Sequence, residues 1–530
     1  MRRPTGWSIL ALSGSIGWCG SPGDCGAGIW CAAWWAWVLA CVMWRPSDWG
    51  SDRQAGLNSP MADHRVDILA DWRASQEERR AEVSEFADFW LGLLGSGILT
   101  IMLLFMMIGV APYEHEAVID PATGIAPVSP WFRLVWLALF GLAAPIFWFR
   151  RGVILEALRR VWPLVAMLVW FAITTRWALD PAVSSKRLLL LVIQVLICLA
   201  LALSIRRADR ILAVMATACA IMVAIDFFSW ILAPAKSMTE IGLAAIHTHK
   251  NTLGSVMMYC CIVCAAYLQG RKSFLGRAFW SLVVLAGFAL LIASKSKTSL
   301  GILVAAGLAA PVLIWLLRLR ASLIWAAICT GLAVLAVLFL GWLGWNAMNG
   351  DEPFSALSKI TFTQRTDVWR FVLGVWAETP WKGVGFGSLW DVDPSVQPSL
   401  QTDEWFAQPD AFTNESHNGY IDILATTGII GLVGALLMLA RWIWRALSML
   451  RLSMMSGRSE DQVAYPYGVF LALFPLLFTL HNFLESSYFT ANATYGILIL
   501  LVGLDIDLRW PDRNRPGGFN APDFAPTVSR

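Results

Sequence analysis

Charge is scarce in this sequence, and the scarcity excludes an ordinary water-exposed surface for most of the chain. Only 15% of its 530 residues are Asp, Glu, Lys or Arg, against 57% hydrophobic, and mean hydropathy is +0.60. A soluble protein of this length carries about a quarter charged residues. Neither sign is in excess: 40 Lys and Arg face 37 Asp and Glu, for a net charge of +3. That balance gives no strongly basic surface for nucleic acid. A cysteine framework is lacking too. Six of the ten Cys (Cys198, Cys219, Cys260, Cys261, Cys264 and Cys329) fall inside apolar stretches. The Cys261/Cys264 pair has no second pair or His at zinc spacing, so these read as small buried apolar side chains. No repeat at half-length offset is visible, which tells against the internally duplicated transporter folds. No clear secretory signal peptide emerges either.

Long apolar runs are what the sequence has in quantity. A helix needs roughly 20 apolar residues to cross the hydrocarbon core. About twelve stretches meet or approach that length: 89–110, 131–149, 158–174, 187–205, 210–233, 252–269, 278–294, 298–317, 322–345, 420–440, 464–480 and 493–508. They predict an all-α, polytopic integral membrane helix bundle of about 12 transmembrane helices with one large extracytoplasmic loop. The expected divisions are an amphipathic cytoplasmic lead-in (61–88), nine spans (89–345), the large periplasmic loop (346–419), three further spans (420–508) and a cytoplasmic tail (509–530). Residues 1–60 differ from all of these. They hold eight of the 30 Trp and Cys19, Cys25, Cys31 and Cys41 among Gly and Ser, without clear periodicity. The expectation is an atypical extension that is not translated, with Met61 as the start.

Basic residues set the orientation. Arg150, Arg151, Arg159, Arg160, Arg206, Arg207, Arg210, Arg271, Lys272, Arg277, Arg318, Arg320, Arg441, Arg445, Arg451 and Arg458 fall in loops on one side. The tail, with Arg509, Arg513 and Arg515, joins them, so both termini are expected in the cytoplasm. Five of the six His (His115, His247, His249, His417 and His481) fall on the opposite face, His64 being the exception. Any chemistry is therefore expected outside the cytoplasm.

The large loop contains one amphipathic segment, Thr366 to Glu378, expected to be a helix with Val368, Trp369, Phe371, Val372, Val375 and Trp376 apolar at helical spacing, lying against the membrane surface. It is followed by a glycine-rich run from Gly383 to Ser388. Its spacing departs from a dinucleotide loop and no strand precedes it, so a tight turn approaching a ligand or the membrane helices is the better reading.

Polar residues cluster at this outer surface. His247-Thr-His249-Lys250-Asn251 enters one span, and Ser294-Lys295-Ser296-Lys297-Thr298-Ser299 joins two. Gln364-Arg365-Thr366-Asp367 with Arg370, then His417-Asn418, and more weakly His481-Asn482 with Glu485, complete the set. Singly, such groups snorkel or bond structurally. Lys250, Lys295, Lys297, Arg365 and Arg370 together put cations where the positive-inside rule keeps them few, which suits an anionic group held at headgroup level. A nearby His can serve as general base for a hydroxyl nucleophile. No carboxylate or Cys completes a ligand set around His247 and His249 at recognisable spacing, so no metal is expected.

At these residues the sequence resembles the O-antigen ligase and exopolysaccharide polymerase superfamily of bacterial inner-membrane proteins. The likeness runs through His249-Lys250-Asn251 to Gly254, Ser294 to Ser299, Arg365 to Trp369, Pro380 to Gly387, and His417-Asn418-Gly419-Tyr420-Ile421-Asp422 with Gly428 and Gly431. It covers roughly residues 234–434, with weaker agreement over 481–488. The resemblance implies a metal-independent glycosyltransferase without cofactor, acting on polyprenyl-diphosphate-linked oligosaccharide within the membrane lipid, with flippase and chain-length-regulator partners. It implies His417 and Arg365 as catalytic, Lys250, Lys295, Lys297 and Arg370 as diphosphate-binding, and His249, Asn251 and Asn418 as supporting residues. The Ser-Lys-Ser-Lys-Thr-Ser run leans toward the polymerase branch over the ligases that join polysaccharide to lipid A core. A transporter or lipid-linked-sugar flippase stands as the other reading, with Asp226 as its candidate midplane charge.

Overall fold

The computed structural model describes residues 68–115, 129–319, 321–348, 365–408, 413–455, 465–491 and 493–510. The extension at 1–60, the turn-rich start of the large loop and the tail beyond 510 lie outside the described residues. Fourteen helices of more than one turn are described: α1 Ile68–Ile108, α2 Pro130–Phe149, α3 Arg151–Arg160, α4 Trp162–Thr174, α5 Pro181–Ser204, α6 Ala208–Leu232 and α7 Lys250–Gln269. Then follow α8 Phe274–Ser294, α9 Lys297–Arg318, α10 Ala321–Met348, α11 Arg365–Glu378, α12 Gly419–Met455, α13 Tyr465–Leu484 and α14 Thr494–Arg509. The fold is an all-α polytopic membrane bundle; the only described sheet is a two-stranded antiparallel hairpin, β1 Met238–Thr239 with β2 Gly242–Leu243.

Helices dominate because in hydrocarbon every backbone polar group must be satisfied within its own segment. Nine helices among the described residues are long and apolar enough to cross a membrane. The expected spans at 158–174, 322–345 and 493–508 fall on α4, α10 and α14. With 13 and 16 residues, α4 and α14 rise about 20 and 24 Å, short of the roughly 30 Å core. From Ile68 onward the segment before residue 89 is helical, and α1 runs unbroken into the first span.

Local chemistry starts the helices where it should. Asp180 caps α5 by accepting from the Ala182 and Val183 amides, with Pro181 in the first turn. Ser273 caps α8 and His249 caps α7. The bundle centres on α5, α7, α13 and α14: 72% of the α7 span and 67% of the α13 span are buried, against 22% for the peripheral α2 and α9. Cys198, Cys219, Cys260, Cys261 and Cys264 are free and buried, as small apolar side chains should be.

The two ends of the bundle differ. At one end, arginines are paired rather than loose. Asp88 of α1 receives both Arg150 and Arg206. Asp507 of α14 takes Arg445 at 2.6 Å and Arg441 at 3.2 Å, and Asp505 takes Arg509 at 2.7 Å. The other end carries the histidines and α11.

Candidate active site

The site is built on a broken helix. Inside α12, Gly428 has φ 70° and ψ −173°, which ends the first half after Thr427. The break frees carbonyls, and the glycine-rich loop takes them: Val384 N–H donates to Ala425 O and Gly385 N–H to Thr426 O, both at 2.9 Å. Trp170 Nε1 donates to Thr427 O at 3.1 Å. Such contact requires bare backbone. A Cβ on Gly383 would stand 2.5 Å from the Thr426 carbonyl carbon, and one on Gly385 2.3 Å from Ala178 Cα. The tight turn read from the sequence is therefore present, and it presses on the membrane helices. Arg187 of α5 fastens its far side by donating to Gly387, Trp390 and Asp391 carbonyls. Val368 and Val372 of α11 pack with Val384, Leu389, Trp390, Phe406 and Ala425 into a small core. The apolar face of α11 thus meets this loop and α12, where a membrane-surface contact was expected.

His417 stands just before this half-helix, in left-handed conformation at φ 51°, a backbone state uncommon for a residue with a Cβ. Its neighbours hold it there. Asn418 is buried and accepts from the Tyr420 and Ile421 amides, capping α12. The Asn418 amide donates to Ser486 Oγ, and Ser486 Oγ in turn donates to Asp422. Trp369 of α11 donates to Ser416 O at 2.8 Å, and Trp390 to Asp422 Oδ1 at 3.0 Å. Gly419 lies against Asn482, whose side-chain oxygen accepts from the Ser487 and Tyr488 amides.

Around His417 the charges form one linked group. His417 Nδ1 lies 2.8 Å from Glu415 Oε1 and 3.4 Å from Glu485 Oε2. Glu485 Oε1 accepts from Arg365 Nη2 at 3.4 Å, and Arg365 Nη1 donates to Leu484 O at 2.5 Å. Burial pulls the His417 imidazole down, but its bonds to Glu415 and Glu485 outweigh that and raise it to about 9. Burial pushes Glu485 up, and His417 with Arg365 hold it below the usual carboxylate value. The resting group is then an imidazolium and a guanidinium against two carboxylates. Asp391 adds a further carboxyl, pushed up by burial, countered by Arg187, and pushed up further by Glu415. Glu415, His417 and Glu485 place one ligand atom each within 4.8 Å of one another. Arg365 on Glu485 already supplies the positive charge an ion would bring.

The other expected residues lie nearby at the same end. His249 Nδ1 accepts from the Asn251 amide. Burial and Lys250 lower its pKa while Glu485 opposes them, so the start of α7 lies within electrostatic reach of the His417 group. Lys250 is half-buried and donates to Ile241 O at 3.4 Å, and Asn251 is exposed. Lys295, left-handed at φ 56°, and Lys297 are both exposed on the α8–α9 turn. That turn packs against α7, where a Cβ on Gly254 would stand 2.4 Å from Ser296 Cβ. Arg370 is exposed and pairs with Asp367 at 3.4 Å. Beside the site an apolar cavity of about 250 Å³ opens between α11, α12 and α13, lined by Trp369, Tyr420, Ile421, Leu424, Leu432 and Phe483.

Sequence reading assigned no role to Glu415 or Asp422 and only a weak one to Glu485. Glu485 is 68 residues from His417, and its signals are its place beside His481-Asn482 on the histidine-bearing face and the weaker resemblance over 481–488. A family model described as O-Antigen ligase matches residues 281–436. That stretch includes Lys295, Lys297, Arg365, Arg370, His417 and Asn418 and ends before Glu485. No curated protein matches the chain.

Proposed function

We propose that this chain, whose residues 281–436 match a family model described as O-Antigen ligase, is an exopolysaccharide polymerase-like glycosyltransferase of the bacterial inner membrane. It transfers glycan from a polyprenyl-diphosphate carrier to an acceptor sugar hydroxyl at the periplasmic face. The observation that carries this reading is the contact of Arg365 and His417 with one carboxylate, Glu485, at the edge of an apolar cavity. A lipid-linked donor needs an apolar groove, cations and a proton acceptor side by side. The Arg-rich end faces the cytoplasm by the positive-inside rule, with both termini there.

Each part has a role. The cavity takes the first isoprene units. Lys250, Lys295 and Lys297 neutralise the diphosphate together with Arg365, whose planar fork suits phosphate oxygens; Arg370 meets the carrier as it approaches. With His417 Nδ1 turned to the carboxylates, Nε2 is the ring atom left for the acceptor. The acceptor oxygen attacks the anomeric carbon, the bond from that carbon to the diphosphate oxygen breaks, and the hydroxyl proton passes to Nε2 of the neutral imidazole, the minor form of His417 at pH 7. Glu415 and Glu485 stabilise the imidazolium so formed, and the fixed cations stabilise charge developing on the leaving diphosphate. His249 and Asn418 support through their caps, and Asn251 lies beside them at the start of α7. No step requires a metal.

The test is made on cells lacking the gene, by gel analysis of surface glycan with the lipid-linked pool. Accumulated single lipid-linked repeat units with loss of long polysaccharide support a polymerase. Intact polymer stranded on its carrier means the ligase activity instead, and an unchanged profile overturns both in favour of transport.

A further inference from the structure

A buried Asp–His pair lies between α6 and the segment that follows it. Asp226 lies six residues before Leu232, about 9 Å from the helix end on the histidine-bearing side. Its Oδ2 is 3.0 Å from His247 Nε2, and the two side chains are 0% and 1% exposed. The mechanism above uses neither. Replacing such a pair with apolar side chains is often neutral or stabilising, so its presence calls for something it holds in place.

It holds the segment that carries His249 and Lys250. That segment leaves α6 through a single turn, Pro234–Ser237, and folds back as the β1–β2 hairpin. The Ala244 and Ala245 amides both donate to Ser237 O, and Ser237 Oγ is 2.8 Å from Ser229 Oγ of α6. From the other side, His115 Nδ1 bonds His247 O at 2.8 Å, and the Tyr113 amide bonds Ile246 O at 2.9 Å. The hairpin so fixed touches two groups of cations at once. Ile241 O receives Lys250 Nζ. Gly242 lies so close to the turn bearing Lys295 and Lys297 that a Cβ there would stand 2.7 Å from Ser294 O. His247 is three residues before Lys250, so little chain separates the anchor from the cation.

Building on the donor assignment above, we propose that the Asp226–His247 pair is a positioning device: it fixes the hairpin, and through it Lys250 and the Ser294–Lys297 turn, at the spacing the donor diphosphate requires. Asp226 and His247 act through these cations and touch no substrate.

The test uses the full-length protein in lipid nanodiscs with an undecaprenyl-diphosphate-linked repeat unit as donor. Asp226→Leu is expected to raise donor KM about 10- to 100-fold, the range a small misplacement costs, with kcat changed far less. Asp226→Asn keeps an acceptor oxygen toward His247 Nε2 and is expected to recover most of the loss. Because Asp226 acts through Lys250, Asp226→Leu added to Lys250→Ala is expected to cost little beyond Lys250→Ala alone. If Asp226→Leu does not fold, Asp226→Leu with His247→Leu leaves no unpaired polar group and is expected to show the same KM effect. An unchanged KM, an equal fall in kcat, or full additivity with Lys250→Ala overturns the positioning role while leaving the glycosyltransferase reading intact. A wild type inert toward the donor overturns that reading and, with it, the role given to the pair.

Discussion

The proton on His417 offers the sharpest test of the mechanism. An imidazole raised to about 9 is neutral in only about one molecule in a hundred at pH 7. If neutral Nε2 takes the acceptor proton, kcat/KM for the donor rises about tenfold per pH unit above 7 and levels off near 9, since this ratio reports the free enzyme. The kcat limb should lie at the same pH or higher, because bound diphosphate further favours the imidazolium. Glu415→Gln removes the closer carboxylate, 2.8 Å from Nδ1. With less negative charge beside it, the imidazolium loses its proton more readily, so the limb must move to lower pH. The weaker base should also lower the plateau. Initial rates of polymer formation from lipid-linked donor between pH 6 and 10, wild type against Glu415→Gln, decide the matter. A flat profile, a limb unmoved by Glu415→Gln, or activity that falls as pH climbs toward 9 would refute the base assignment. The last of these would mean that the imidazolium is the working form.

His417→Ala and Arg365→Ala should each abolish glycan assembly in a complementation assay while membrane insertion persists, and retained activity in His417→Ala would remove its catalytic role. Glu485→Gln weakens the contact to both residues, so it should cost at least about tenfold in kcat/KM and shift the pH limb in the same direction as Glu415→Gln. Chelation by EDTA should leave the rate of the purified protein unchanged, whereas a loss restored by one divalent ion would give the Glu415–His417–Glu485 group a metal.

Much of the fold is legible in the sequence because the membrane simplifies the code. Apolar runs of helical length map onto the membrane helices from α1 to α14, and backbone satisfaction leaves them no alternative to helix. The glycine spacing at 383–387 is readable for a similar reason, since positive φ and close backbone contact both demand glycine. The site is less legible. The resemblance points to His417 and Arg365, but Glu485, which lies against both, follows the last residue of α13 and reads in sequence only as a weak companion of His481-Asn482. Asp226 and His247 are 21 residues apart, and their contact exists only because the hairpin turns the chain back onto α6. The pairing of Arg441 and Arg445 with Asp507 is likewise invisible in a count of loop charges.

Gly428 shows how a site this tightly held can be broken at a distance. In the sequence, Gly428 and Gly431 stand only as part of the resemblance, with no role attached to either. In the structure, Gly428 is where α12 stops being a helix, and a Cβ there would stand 2.1 Å from Trp381 O and 2.6 Å from the Lys382 amide nitrogen. Alanine would have to adopt φ 70° in that space, which the chain cannot supply without moving the 380–385 loop. Ile429 N–H bonds Pro380 O across the same gap, so shifting the loop also breaks the bonds at Ala425 and Thr426. The half-helix that begins beside His417 then loses its partner. Gly428→Ala should therefore reduce transfer by at least about a hundredfold, although it lies 11 residues from the histidine in sequence. Gly374 provides the control: it is exposed in the middle of α11 with nothing within 4 Å of its would-be Cβ. Gly374→Ala should leave transfer intact and stabilise the helix by about 0.5–1 kcal/mol. Equal activities for the two variants, at matched amounts in the membrane, would show that the break in α12 does not position His417.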